Sequence, residues 1–334
     1  MFGLFRKRKP AKRPVTQAKT PARAQLFTFD GPTMGTRYQV ACATALPVDL
    51  DVLKTDVHGA VDRVDQQMSN WIPTSPLSQF NRAGAGVWVD VPQDLITVVQ
   101  AGLKLGRETR GAFDLTAGQL VDDWGFGPSQ SRNPQAGNGA PAGLAGSLEV
   151  RQDPPALKKS QPLTIDLCGI AKGFGVDQIA ACLESHSITD YLVTIDGEAR
   201  VSGRKPGLDW QWSLALDAPV TGQKQAYDIL TPRNGALATS GDYRHFVDLD
   251  GQRFAHTMDM RVGAPVQNAI ASLTVHQETC MMADAWATAL MVLGPKEGVA
   301  VAEARKIPAL FLIRGPEGIE ELATAGFRQV SYNE

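Results

Sequence analysis

A chain of 334 residues, 43% apolar and 20% charged, has the composition of an ordinary globular protein. It exceeds a single typical core, so one large domain or two intimately packed ones are expected. The formal net charge of −2 is unevenly placed: Arg6, Lys7, Arg8, Lys9, Lys12, Arg13, Lys19 and Arg23 lie within residues 1–29, which hold no acid, and all 35 Asp and Glu lie beyond. An acidic body excludes general nucleic-acid binding. Residues 1–24 read as a basic, disordered arm, either simply solvated or in peripheral contact with an anionic membrane.

The start Met1-Phe2-Gly3-Leu4-Phe5 is too short for the apolar core of an export signal, and the basic run follows it instead of preceding it. No apolar stretch reaches the roughly 20 residues that span a bilayer. As written, the chain reads as cytoplasmic. Cys42, Cys168, Cys182 and Cys280 form no CxxC pair, which argues against a zinc site or a disulfide framework.

Past the arm, Gln25 to Asp30 and Thr36 to Ala43 read as strands, joined by Gly31-Pro32-Thr33-Met34-Gly35-Thr36, whose glycines permit close backbone approach to a ligand. Leu53, Val57, Val61, Val64 and Met68 have helical spacing and predict an amphipathic helix over 50–68. A polar, proline-broken loop from Ser69 to Asn81 carries Trp71. A second amphipathic helix spans 92–109. Residues 129–156, rich in Gly, Pro, Ser and Ala, read as a flexible insertion within a single domain over 25–334, with room for a short helix near 143–149.

Leu163 to Leu167 reads as a strand running into Cys168-Gly169-Ile170-Ala171-Lys172-Gly173, followed by a helix to Ser185. A glycine-bearing turn at a helix N-terminus suits an anion, and Lys172 adds a full charge; a plain strand–helix turn is the alternative. The loop matches neither GxxxxGK[ST] nor GxGxxG. Strands follow at 191–195, 199–202, 210–216, 235–240 and 270–275, and finally at 306–314 and 327–332. Without regular βαβ alternation, the fold class is α+β.

The helix from Thr279 to Leu293 is almost wholly apolar, yet carries Asp284 and Thr288 four residues apart on one face. Two readings are open from these residues alone. Asp284 caps or pairs locally while Thr288 bonds back to its own helix, or both oxygens ligate a hard cation that neutralises the carboxylate.

Eight pieces, in order, resemble the ApbE family of flavin transferases: Met34-Gly35-Thr36; Met68-Ser69 through Asn81; Phe113-Asp114-Leu115-Thr116; Trp124-Gly125-Phe126-Gly127; Asp166 through Gly173; Ala238-Thr239-Ser240-Gly241-Asp242-Tyr243; His256-Thr257-Met258-Asp259; and Ala283 through Thr288. The resemblance implies mixed sheets with flanking helices and an active cleft between two packed subdomains. It implies an enzyme that takes FAD with Mg2+ and moves the FMN half onto a Thr or Ser hydroxyl of an acceptor flavoprotein, such as a redox-complex subunit, releasing AMP. Hydrolysis of FAD to FMN and AMP, or flavin binding without catalysis, are the alternatives.

By the same resemblance, Asp284, Thr288 and the carbonyl of Ala171 hold the metal, and Lys172 and His256 serve phosphate binding and proton transfer. Met34, Trp71, Asn81, Phe113, Asp114, Thr116, Gly169, Asp177, Thr239 and Ser240 contact the nucleotide. This chain departs from the family pattern where Trp71 replaces Tyr, Leu115 replaces Pro, Cys168 replaces Gly, Met260 replaces Pro and Asp196-Gly197-Glu198 stands for Gly-Gly-Asp. Many members are exported, often as lipoproteins; no such signal is read here.

Overall fold

The computed structural model describes residues 24–129, 143–205, 211–219, 225–243, 246–249 and 251–331. The basic arm through residue 23, residues 130–142 of the expected insertion, and Trp210, Arg244, His245 and Tyr332 lie outside this set. In chain order the elements are β1 (Gln25–Thr33), β2 (Thr36–Thr44), α1 (Leu50–Met68), α2 (Pro76–Arg82), β3 (Trp88–Asp90) and α3 (Gln93–Glu108). A 3-10 turn (Leu115–Ala117) leads into α4 (Gly118–Asp123), then β4 (Leu148–Gln152), β5 (Pro155–Lys159), α5 (Ala171–Ser185), β6 (Asp190–Ile195) and β7 (Glu198–Ser202). There follow β8 (Leu214–Asp217), β9 (Ala226–Leu230), β10 (Gly235–Gly241), β11 (Phe246–Leu249), β12 (Gln252–Ala255), β13 (Met258–Asp259) and β14 (Ala264–Pro265). The chain closes with β15 (Ile270–Gln277), α6 (Cys280–Ala304), β16 (Ala309–Gly315), β17 (Gly318–Ala323) and α7 (Phe327–Ser331).

An eight-stranded sheet in the order β1-β2-β6-β7-β10-β15-β16-β17 forms the frame, with every ladder antiparallel. Its two faces are read from side-chain alternation. Ala236 and Ala238 of β10, and Ala309 and Phe311 of β16, join the main core with helices α1, α3, α5 and α6. The intervening Leu237, Leu310 and Leu312 point the other way, into a smaller cluster with Leu216, Leu230 and Phe327. A third cluster joins Leu120 and Trp124 to Val247, Met258 and Met260. The α+β reading holds, since helices and antiparallel strands share one frame without βαβ units. No helix among the described residues is long and apolar enough to cross a membrane.

Four expectations are corrected. Leu163 to Leu167 is not a strand: Ile165 N–H donates to the Asn81 side chain and Asp166 N–H to the carbonyl of Leu115, so no neighbouring strand is engaged. Residues 148–156, the end of the expected insertion, are not flexible chain; β4 and β5 pair as a hairpin, and β3 lies along β5. The loop 69–81 ends in α2, which Ser75 caps through its hydroxyl and Pro76 opens at a position that needs no N–H. Phe327 to Ser331 is a helical turn, with Phe327 inserted into the smaller cluster. The edge strand β17 was not foreseen; its mostly exposed residues lack the apolar alternation that marks a half-buried strand.

Candidate active site

The site is organised on the first part of α6. Thr279 caps its start by accepting from Met282 N–H, and Gly294 breaks the helical path with φ 78° and ψ 178° ahead of Pro295. The run Cys280–Leu293 is therefore an independent helical segment, apolar on nearly every side because it is packed on nearly every side.

Asp284 is only 4% exposed. Its Oδ2 accepts from the backbone N–H of Gly173 at 3.0 Å, 111 residues earlier. Its Oδ1 and the Thr288 hydroxyl take no hydrogen bond among the described residues. The local reading of the pair is therefore not what is seen: Asp284 bonds across the fold, and Thr288 does not bond back to its helix. Glycine permits this closeness. A Cβ on Gly173 would collide with the carbonyl of Cys280, and one on Gly169 would lie 2.8 Å from Thr288 Oγ1. The turn Cys168–Gly173 thus runs against α6, with Gly169 beside Thr288.

Burial pushes the Asp284 carboxyl up to about 8, and neighbouring Glu198 acts the same way, against Lys172 and the Gly173 N–H. Near neutral pH such a group takes a proton unless a cation holds it ionised. Lys172 stands close by, but its Nζ bonds Glu198 Oε1 at 2.8 Å and Asp196 Oδ2 at 3.4 Å. Burial works against its charge, yet Glu198, Asp284 and Asp196 together hold the ammonium well above the usual lysine range.

Among the described residues no group of three or more His, Cys, Asp or Glu could hold a metal. What the site offers is oxygen of three kinds: a carboxylate, an unengaged hydroxyl and turn carbonyls. That set fits a hard cation such as Mg2+, not a thiolate- or imidazole-bound metal. Ala171 opens α5 and its N–H donates to the carbonyl of Leu167. Gly169 is the turn residue set directly against Thr288.

A second network holds the turn from its other side. Asn81 Nδ2 donates to Asn70 Oδ1 and to the carbonyl of Ile165, each at 2.9 Å, and Asn81 Oδ1 accepts from Ile165 N–H at 2.8 Å. Asn70 Nδ2 donates to Asp166 Oδ2 at 3.0 Å, and Asp166 Oδ1 accepts from Cys168 N–H at 2.9 Å. Lys159 Nζ donates to the carbonyls of Asn81 and Leu163. Asn81, expected at the nucleotide, here braces the segment that leads into the turn. Asp166 was not singled out from sequence, although it stands inside a quoted motif; its role depends on the approach of Asn70, which no local pattern encodes. Trp71, beside this network, is 54% exposed, with its backbone N–H donating to Ser69 Oγ.

Asp177, also expected at the nucleotide, caps α6. Its Oδ1 accepts from Cys280 N–H and Arg200, and its Oδ2 from Met281 N–H, at 3.0, 2.7 and 2.9 Å respectively. A carboxylate on a helix N-terminus is favoured by the exposed N–H groups and the helix dipole.

Met34 has φ 44° and its N–H donates to Asp65 Oδ2, while its Cε packs over Gly175 of α5. Asp114 Oδ1 caps the 3-10 turn, accepting from the N–H and hydroxyl of Thr116. Phe113 and Asp114 line a recess of about 350 Å3 with Leu103, Arg107 and Arg110. Thr239 pairs its hydroxyl with that of Thr274 and donates its N–H to the carbonyl of Gly197, which sets the end of β10, with Ser240, beside the Lys172 carboxylates. His256 lies between β12 and β13, half-buried, with its ring 6.2 Å from that of Phe126.

The ApbE family model matches residues 34–311. The chain is 36% identical over 311 residues to the FAD:protein FMN transferase of Vibrio cholerae serotype O1, covering 91% of this chain and 92% of that protein. It is 32% identical to the FAD:protein FMN transferase of Escherichia coli K12 over 89% of this chain and 86% of that one. Among solved structures, the flavin transferase ApbE from Vibrio cholerae superposes with a TM-score of 0.83 at 36% identity, covering 92% of this chain and 99% of that one. The apo flavinyl transferase ApbE of Pseudomonas stutzeri gives 0.83 at 32% identity, over 93% and 98%. With the family model spanning most of the folded body and these relatives matched over nearly their whole length, the chain belongs to the ApbE family.

Proposed function

We infer that this chain is an FAD:protein FMN transferase, an enzyme that takes FAD and moves its FMN half onto an acceptor protein. The finer reading is that the acceptor group is a Thr or Ser hydroxyl of a flavoprotein, such as a redox-complex subunit, and that Mg2+ is required. The acceptor oxygen bonds to the FMN phosphorus, the phosphorus–oxygen bond to AMP breaks, and the hydroxyl proton passes to a base. The observation that carries this reading is the buried Asp284 carboxyl, bonded to Gly173 N–H, with the unengaged Thr288 hydroxyl one turn on.

Asp284, Thr288 and a carbonyl of the Cys168–Gly173 turn would hold Mg2+; Ala171 supplies it by resemblance, and Gly169 abuts Thr288. Bound there, the cation would neutralise charge on the pyrophosphate oxygens. Lys172 would exchange part of its contact with Glu198 and Asp196 for phosphate, keeping its proton throughout. His256 would take the acceptor proton, a step a neutral imidazole performs near pH 7. Trp71, exposed beside the site, would stack on a flat ring of FAD. Met34, Phe113, Asp114, Thr116, Thr239 and Ser240 would border the nucleotide. Asn81 and Asp177 would serve it by holding the turn and α6 in place. Residues 25–334 would act as one folded unit, and the basic arm before them would touch an anionic membrane surface peripherally.

The test is incubation with FAD, Mg2+ and a flavoprotein subunit bearing a covalent-flavin threonine. A fluorescent acceptor band that survives denaturation, with AMP released, is expected. FMN and AMP without a labelled acceptor would favour FAD hydrolysis instead.

A further inference from the structure

Resting on the catalytic reading of His256, we propose that Arg261 and Asn268 are positioning residues that fasten the His256 hairpin to the helix carrying Asp284 and Thr288. The fastening point is the break in α6. In an unbroken helix the carbonyl of Met291 would accept from the N–H of the residue four further on, but that residue is Pro295, which has none. Gly294, with φ 78° and ψ 178°, swings the chain away and leaves the carbonyl of Val292 open as well.

Two side chains from one distant segment fill these vacancies. Asn268 Nδ2 donates to the Met291 carbonyl at 2.8 Å, and an Arg261 terminal N–H donates to the Val292 carbonyl at 3.1 Å. A cation at a helix C-terminus also complements the helix dipole. The donors are themselves fixed. Arg261 grips buried Asp259 through two side-chain bonds of 2.9 and 2.8 Å, and its own N–H donates to the same carboxylate. Asn268 Oδ1 accepts from Ile270 N–H at 2.9 Å.

Asp259 and Arg261 belong to the tight hairpin that begins directly after His256. Val266 N–H donates to the carbonyl of Thr257, and Met258 and Asp259 pair with Pro265 and Ala264. The capped carbonyls lie one helical turn beyond Thr288. The hairpin that follows His256 is therefore locked to α6, one turn beyond the proposed metal ligands, by bonds to backbone carbonyls of the helix. Misplacing a catalytic group by about 1 Å can cost on the order of 100-fold in rate, so such a clamp has kinetic consequences.

The test is steady-state transfer by the full chain, with FAD, Mg2+ and the acceptor labelled in the assay above, in a double-mutant cycle. Arg261→Ala and Asn268→Ala are each expected to lower kcat by about 10- to 100-fold, with KM for FAD within about threefold. In a His256→Ala background the same changes should cost less than about twofold, because the group they position is gone. Arg261→Lys, which keeps the charge but not the fork, should fall between. Should Arg261→Ala fail to fold, the Asp259→Ala/Arg261→Ala pair, which leaves no lone buried charge, replaces it. An equal cost in both backgrounds, or a raised KM with unchanged kcat, overturns the positioning role alone. Full activity of His256→Ala overturns the catalytic reading of His256 and this inference with it.

Discussion

Helices α3 and α6 are both long, and they were read from sequence in opposite ways. In α3 the buried residues Leu95, Ile96, Val98, Val99, Gly102 and Leu105 mark one face, and Lys104 and Arg107 stand in solvent. In α6, Ala283, Asp284, Ala285, Trp286 and Ala287 are buried in succession, so no face is marked at all. Where a helix is enclosed, its apolar periodicity stops carrying information and its rare polar groups carry it instead. Asp284 is informative because nothing about α6 alone explains it; an Asp on the open face of α3 would mean nothing.

The largest expected effect breaks the comparison at that residue. Asp284→Ala should abolish Mg2+-dependent FMN transfer, a loss of about 1000-fold or more if the cation carries the charge stabilisation. The fold should survive, since a carboxyl pushed up to about 8 is a costly group to bury. Asp94→Ala, on α3, should leave transfer unchanged. Acceptor labelling and a circular-dichroism melt check both, and unchanged activity in a folded Asp284→Ala protein would refute the metal assignment.

The glycines come next. Gly173→Ala puts a methyl into the Cys280 carbonyl and should destabilise by about 3 kcal/mol, separating α5 from α6. Gly59→Ala, in the middle of α1 with open space around its Cα, should instead stabilise by about 0.5–1 kcal/mol. Denaturant midpoints for the two variants should move in opposite directions, and a Gly173→Ala midpoint that did not fall would deny the close crossing of α5 and α6.

Asp177→Ala removes the side-chain cap from α6 and leaves Arg200 without this partner, for a cost of about 1–2 kcal/mol by equilibrium unfolding. The smallest effect is a control on the sheet, outside both helices. Burial holds the His276 imidazole below its usual range, with the ring nitrogen against the Asn234 carbonyl. The unfolded chain then takes up the proton first as pH falls below about 6.5, so this contribution to stability is present at neutral pH and lost on acidification. His276→Gln should flatten the melting temperature between about pH 7 and pH 5; an unchanged slope would deny the burial effect.

Much of the fold was legible. Helices α1 and α3 followed from apolar spacing, and β1, β2, β6, β7 and β15 from short apolar runs between turn residues. The misreadings have a common cause. Leu163 to Leu167 looks like a strand, but its backbone partners are Asn81 and Leu115, far away in sequence. Residues 148–156 read as the end of a flexible insertion because a Gly-, Pro- and Ser-rich stretch runs directly into them, and the hairpin is ordered only by the pairing of β4, β5 and β3. In the site, residue types were legible and partners were not: Asn81 and Asp177 were recognised as polar groups of the right motifs, but which donors would reach them was not written nearby.

The sequence by itself determined that a carboxylate and a hydroxyl share one face of an apolar helix, and that a glycine turn ahead of another helix carries a lysine. Those are consequences of helical geometry and glycine's conformational freedom, which act over a few residues. Only the tertiary structure decided that the turn and the helix meet, with Gly173 N–H on Asp284 and Gly169 against Thr288. The same holds for the caps on α6, Asp177 at its start and Arg261 with Asn268 at its break. Backbone groups at helix ends must find partners, but any donor or acceptor of suitable reach would satisfy them. The choice among candidates belongs to the packing that brings distant segments together.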